Sequence, residues 1–413
     1  MRRIRWAWLT IFLLLGYGCG TPPRHQILSK DALYLAPTYN SIQEAQLHLD
    51  SVYKLNLYGE GLVNLPEDFE QFQQIQWLDL SENYFQSWGE VLRSLGKLPH
   101  LEVLHSQYNT IRIIEPEIGQ LSALRELYLD HNRIRRLPSE FVQLKDLEVL
   151  HLTHNMLERF PPQIAALARL EELSLAQNQI QNWEEAFNYL KSMPSLTKLD
   201  LHGNQLQELP ISVERLYRLE SLNLSENPRL DWPEVIPSLV MLPKLSYLGL
   251  ADNQLRVLPP SFAKLTYLQE IDLVYNQLDA FPEPLLDMPR LRSIEIFGNQ
   301  VSSIPKEIQK LKQLENLFAS NNDVAELPDE IGKLAALRTL ALADNQLIGL
   351  PRSIGDLSNL ERLELGHNRI VALPPEIQKL KKLKFLGLEG NPLSQEARRK
   401  LLKWLPNTEI RFD

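Results

Sequence analysis

At 413 residues the chain is long enough for two or three ordinary domains. Its net charge of −9 argues against nucleic acid or an anionic membrane surface as the main partner. The single cysteine, Cys19, leaves the rest of the chain without an intramolecular disulfide or a thiol nucleophile.

Residues 1–19 read as a targeting segment. Arg2, Arg3 and Arg5 open it, and Trp6 to Leu15 form an apolar run too short to span a bilayer comfortably. Gly16, Tyr17 and Gly18 then lead to Cys19. This arrangement resembles a bacterial lipoprotein signal, which implies lipidation of Cys19. The chain would then be anchored by lipid at a bacterial cell envelope, at the outer membrane rather than the inner one. Gly16 and Tyr17 stand where that family carries an aliphatic and a small residue, so cleaved secretion and an uncleaved anchor stay open. Residues 20–40, with Pro22 and Pro23, read as a tether spanning roughly 25 Å if flexible. Ile27 to Leu35 are candidates to fold back on the first repeat. Residues 41–51 read as an N-terminal cap: Ser41 and Glu44 make a capping box, and Ile42, Ala45 and Leu49 line one helical face.

Residues 52–391 repeat one nine-residue phrase, L-x-x-L-x-L-x-x-N, as in LEVLHLTHN at Leu147 to Asn155. Leucines two apart predict a short strand with one buried face. An asparagine at the ninth position offers two donors and an acceptor to backbone groups left unpaired by the turn after the strand. The ninth positions run from Glu60, the one substitution, through Asn83 and Asn109 to Asn391; eleven of the fourteen intervals are 23 residues and three are 26. A fixed period of this size marks a solenoid. The return half carries Leu-Pro pairs such as Leu137-Pro138, then apolar residues three apart such as Ile308 and Leu311, which suit one helical or 3₁₀ turn. Each 26-residue repeat has a tryptophan five residues after its asparagine, at Trp88, Trp183 and Trp232, and predicts one more turn of outer helix.

The phrase and its spacing resemble the short leucine-rich repeat, L-x-x-L-x-L-x-x-N-x-L-x-x-L-P-x-x-I-x-x-L. Similar repeats occur in bacterial surface proteins and in Scribble-like and plant Ras-group proteins. The resemblance implies an α/β solenoid of about fifteen repeats: a horseshoe with a parallel concave sheet, short helices or 3₁₀ turns on the convex side, and helical caps at both ends. Residues 392–413 read as the second cap. Ser394 is an N-cap, a helix carries Ala397, Leu401, Trp404 and Leu405, and Ile410 and Phe412 alternate in a last strand.

Solenoids bind through such curved faces. Side chains in one column of successive repeats lie about 4.8 Å apart, and the whole face is roughly 70 Å long. The fifth phrase position gives His105, Tyr128 and His151, and the eighth gives Tyr108, His131 and His154. Trp77, Asp130 and His202 lie beside them, so five of the nine histidines fall in this stretch. Large side chains with polar tips suit a protein-binding hot spot. The bland alternative is a run of solvated polar residues. A second patch gathers Tyr247, Tyr275, Phe297 and Phe318 with Glu270, Asp272 and Glu295. It extends the same footprint or takes a basic partner segment.

Histidines on neighbouring strands could share an ion, but Tyr128 interrupts the column and only Asp130 assists, so no metal or other cofactor is expected. The familiar hydrolase, metalloprotease, nucleotide-binding and kinase motifs are missing from the sequence. Asp272 and Glu295 recur at the spacing of neighbouring strands, near a retaining-glycosidase separation, but on an open face. The sequence therefore points to a non-enzymatic scaffold that binds a protein on its concave face, touches a membrane only through its lipid and takes no nucleic acid. A glycan stacked on the aromatic columns is the alternative ligand.

Overall fold

The structure, a computed structural model, describes residues 27–412. The segment expected to carry the signal and Cys19 lies outside the described residues. Among the described residues seventeen strands form one sheet, from β1 (Thr38–Tyr39) to β17 (Glu409–Arg411), each paired in parallel with the next in chain order. The register follows the repeat. Leu127 pairs with Leu150, and Leu150 with Leu173, so the same phrase position meets itself on every neighbouring strand.

Burial explains the phrase. Leu147, Leu150 and Leu152 are all fully buried, and so are their equivalents along the coil. A single repeat cannot bury this face by itself; stacking makes one continuous core from Ala45 to Leu405. The asparagines form the ladder that the sequence implies. The Asn155 Nδ2 donates to the carbonyls of Leu129, Leu152 and Thr153 at 3.0, 3.1 and 3.3 Å, while its Oδ1 accepts from the Ile134 N–H at 2.9 Å. One side chain thus closes its own turn and ties it to the preceding one. Leaving such buried groups unpaired would cost about 1–3 kcal/mol each.

The convex wall differs between the two repeat lengths. The 23-residue repeats return through 3₁₀ turns such as Lys306–Lys310, with Ile308 and Leu311 buried. The 26-residue repeats return through true helices, and the extra residues are the extra turn. These are three of six helices among the described residues: α1 (Lys30–Leu35), α2 (Ile42–Gln46), α3 (Trp88–Leu95), α4 (Trp183–Leu190), α5 (Trp232–Val240) and α6 (Gln395–Trp404). Trp88, Trp183 and Trp232 open α3, α4 and α5 and are buried in the core.

The N-terminal segment is more ordered than a tether. From Leu28 it lies against the repeats rather than hanging free. The side chain of Gln76, wholly buried, accepts from the Leu28 N–H at 2.7 Å and donates to the Leu28 carbonyl at 3.0 Å. Leu33 on α1 is buried, and Lys30 pairs with Glu126 at 2.9 Å. β1 then adds a strand ahead of the first repeat. The edge of that repeat would otherwise expose backbone and leucine, which this segment covers. In α2, the Ser41 Oγ accepts from the Glu44 N–H at 3.1 Å. At the far end the Ser394 Oγ accepts from the Ala397 N–H at 3.1 Å, and β17 pairs with Phe385 to Gly387.

Candidate functional site

Parallel pairing in register turns residues 23 or 26 apart into neighbours. His105 pairs across the sheet with Tyr128, and Tyr128 with His151. Their rings form a ladder. Trp77 meets His105 at a centroid distance of 5.2 Å, and His105 stacks on Tyr128 at 4.3 Å with planes 8° apart. Tyr128 then meets His151 edge-on at 4.9 Å. A second ladder runs beside the first: Tyr108 stacks on His131 at 4.2 Å, and His131 on His154 at 4.6 Å. Its members share a left-handed backbone, with φ of 57°, 53° and 55°, because the eighth position turns the chain out of the strand.

Carboxylates hold the first ladder. The Tyr128 hydroxyl donates to the Glu126 carboxylate at 3.0 Å. The His151 Nε2 lies 2.8 Å from Glu172, and its Nδ1 lies 4.0 Å from Asp130. Glu172 also takes Lys198 at 2.9 Å, and Asp130 accepts from the Thr153 N–H at 2.8 Å. These contacts set the charges. Burial alone would lower the His151 pKa, but the bond to Glu172 and the charge of Asp130 outweigh it and raise it. Glu172, bonded to His151 and Lys198, is held down at about 2. Burial raises the Tyr128 phenol, and Glu126 adds to that. His105 and His131 go the other way, lowered first by burial; the charge of His154 adds to the effect at His131. The first ladder therefore joins one imidazole that is easier to charge, His151, to one that is harder to charge, His105.

His202 is not part of either ladder. Its ring turns to Asp200, 3.5 Å away, and that contact raises its pKa. Glu126, Glu172 and Lys198 were not singled out in the sequence. They occupy the third position, two residues before the fifth and on the same strand face, so the alternation of side chains could have found them.

The second patch does not form one cluster. Tyr275 and Phe297 meet edge-on at 5.3 Å, with the Tyr275 ring lying over Gly298, where any Cβ would come within 2.5 Å of it. Among the described residues no ring contact joins Tyr247 or Phe318 to that pair. Glu270, Asp272 and Glu295 share the strand face with Tyr247 and Phe318. Burial raises the carboxyls of Asp272 and Glu295, with Asp272 and Glu270 adding to the effect at Glu295, and neither acid forms an ion pair among the described residues. Burial beside these acids pushes the Tyr247 phenol up to about 12. Between His151 and Tyr247 the face dips into a hollow of about 230 Å³, where Ser174, Ser221 and Asn223 leave room. Among the described residues no three metal-ligating side chains are placed to hold an ion.

Comparison with known proteins agrees with this architecture. Models of the leucine-rich repeat region match residues 52–201, and leucine-rich-repeat models match 195–216, 243–301 and 335–393. A search of curated proteins returns no match. A leucine-rich-repeat protein of Leptospira interrogans is 32% identical, with a TM-score of 0.70, over 91% of this chain and 100% of that one. An internalin of Listeria monocytogenes shares the fold at 22% identity and a TM-score of 0.52, over 83% of this chain and 88% of that one. TLR13, solved with ssRNA13, shares it at 24% identity and a TM-score of 0.61, over 91% of this chain and 64% of that one. The repeat phrase, the parallel sheet, the asparagine ladder and the Leptospira relative agree: this chain belongs to the leucine-rich-repeat family, a solenoid fold typical of protein-binding scaffolds.

Proposed function

We propose that this protein is a non-enzymatic scaffold, anchored by lipid at Cys19 in a bacterial envelope, that binds a protein partner on its concave face. The observation that carries the binding reading is the paired aromatic ladder, Trp77–His105–Tyr128–His151 beside Tyr108–His131–His154. Seven rings, stacked on one another and braced by Glu126 and Glu172, form a rigid amphipathic surface. Ordering it costs a partner little, because the rings are already fixed by one another. Rings with polar tips are what protein hot spots are made of. The RNA in the TLR13 structure is a less apt guide: Asp79, Glu126, Asp130, Glu172 and Asp200 line these strands, and they repel a phosphate backbone.

The anchor reading rests on the sequence around Cys19. No described helix is long and apolar enough to cross a membrane.

Two experiments test the two parts. Crosslinked capture from native envelopes, with the wild type and a His105→Ala/Tyr128→Ala/His151→Ala variant of matched stability, tests the face. One protein captured by the first and lost by the second is expected; equal capture by both would place binding elsewhere. Metabolic labelling with an alkynyl fatty acid tests the anchor. Label on the wild type and none on Cys19→Ser is expected, and an unlabelled wild type would refute it.

A further inference from the structure

The loops beyond the asparagine ladder carry a second, less obvious hydrogen-bond ladder. The N–H just after each asparagine donates to the carbonyl two residues past the preceding asparagine. Arg133 bonds Ile111 at 2.7 Å, Met156 bonds Ile134 at 2.9 Å, and Gln179 bonds Leu157 at 3.0 Å. The series resumes with Gln277 on Leu255 at 2.9 Å and runs to Arg369 on Leu347 at 2.9 Å. Proline removes the donor at Pro228 and Pro392. Otherwise, among the described residues, the bond fails only at Thr110, Gln205 and Gln254. Those residues come just after the three 26-residue repeats, and their φ values are 56°, 56° and 57°. The extra turn of α3, α4 or α5 is a wedge. It holds its own loop away from the next, and the loops part on that flank.

Behind α4 the parted loops enclose a groove of about 770 Å³. Two loop segments face it, NQIQN from Asn178 and NQLQE from Asn204, and both glutamines of each line the groove. Gln179, Gln181, Gln205 and Gln207 are exposed, and among the described residues their side-chain amides form no hydrogen bond within the protein. The other two breaks lack this set: Tyr84 and Gln86 face Thr110 and Arg112, and Pro228 and Leu230 face Gln254 and Arg256.

The lining selects the ligand. Ile180 and Trp183 are buried, so no exposed apolar anchor awaits a protein side chain. Glu184 and Glu208 outnumber Arg229, which disfavours a phosphate. Side-chain amides both donate and accept, as hydroxyl groups do. We propose that this flank groove is a second binding site, separate from the concave ladders, that holds an uncharged oligosaccharide through Gln179, Gln181, Gln205 and Gln207.

The test uses the full chain on an array of immobilised neutral hexasaccharides built from glucose, mannose, galactose and N-acetylglucosamine. At least one is bound, and Gln181→Ala/Gln207→Ala weakens binding at least tenfold, whereas Tyr128→Ala leaves it unchanged. All four glutamines are exposed, so the double variant keeps its melting temperature, and this is checked alongside. The proposal is overturned if no hexasaccharide binds, if binding survives the double variant, or if Tyr128→Ala abolishes it equally.

Discussion

The His105 imidazole lies flat against the Tyr128 ring, centroids 4.3 Å apart and planes 8° from parallel, although 23 residues separate the two in sequence. Each ring limits the rotamers of the other. Removing either loosens the ladder as well as deleting contact area. If the concave face binds the partner, Tyr128→Ala weakens that binding by about 2 kcal/mol or more, roughly thirtyfold. Tyr128→Phe keeps the stack and loses only the bond to Glu126, so it costs about 1 kcal/mol. Titration of the captured partner measures both; equal losses would mean that the hydroxyl, not the ring, carries the contact.

The ladder charges in a set order as the pH falls. His151 has a raised pKa, so its contribution to stability is complete below the ordinary histidine value and fades as the pH rises through the raised one. Glu172, held at about 2, contributes above the ordinary carboxylate value and loses that contribution only as the pH falls towards 2. The ion pair therefore contributes most in mildly acidic solution. His105 and His131 have lowered values, so what they contribute is present above the ordinary histidine value and is lost as the pH falls through the lowered one. Histidine Cε1 proton shifts followed by NMR should show His151 protonating before His105 and His131. The reverse order would contradict the contacts described.

The asparagine ladder sets the stability of each turn. Asn155→Ala removes three donations and one acceptance from buried backbone. A loss of about 3 kcal/mol in urea unfolding is expected, because several buried groups are orphaned together. Glu60, exposed at the same phrase position in the first repeat, is the control, and Glu60→Ala should change stability by less than about 0.5 kcal/mol.

The helix-opening tryptophans act as core. Trp183→Ala should cost about 3–5 kcal/mol, since the ring is 8% exposed and the cavity it leaves cannot close. Among the described residues its buried Nε1 has no hydrogen-bond partner, so Trp183→Phe removes no hydrogen bond there and should cost clearly less than the alanine change. Thermal unfolding of both variants ranks them.

Gln76 fastens the N-terminal segment. Gln76→Ala removes both bonds to the Leu28 main chain, together with the Gln76 amide's donation to the Glu102 carboxylate at 3.1 Å in the next repeat. Limited proteolysis should then cut between residues 27 and 36 several times faster, a larger change than the accompanying drop in the unfolding midpoint of the solenoid accounts for. Unchanged cleavage would show that Leu33 and Lys30 hold the segment by themselves.

The sequence by itself determined the solenoid, because the phrase is a local instruction repeated at one period. Leu150 and Leu152 define a buried face, Asn155 defines the turn, and parallel stacking aligns every equivalent position. The same logic made the columns of His105, Tyr128 and His151 legible, since residues one period apart must become neighbours. Tertiary structure alone decided what lies between equivalent positions. It chose a flat stack for His105 on Tyr128 and an edge contact for Tyr128 on His151. It turned His202 away towards Asp200, laid Tyr275 over Gly298 instead of joining it to Tyr247, and seated Leu28 on Gln76. It also parted the loops behind α4. These depend on rotamers, on side chains from third positions and on the bulk of an inserted helical turn, and the period of the repeat specifies none of them.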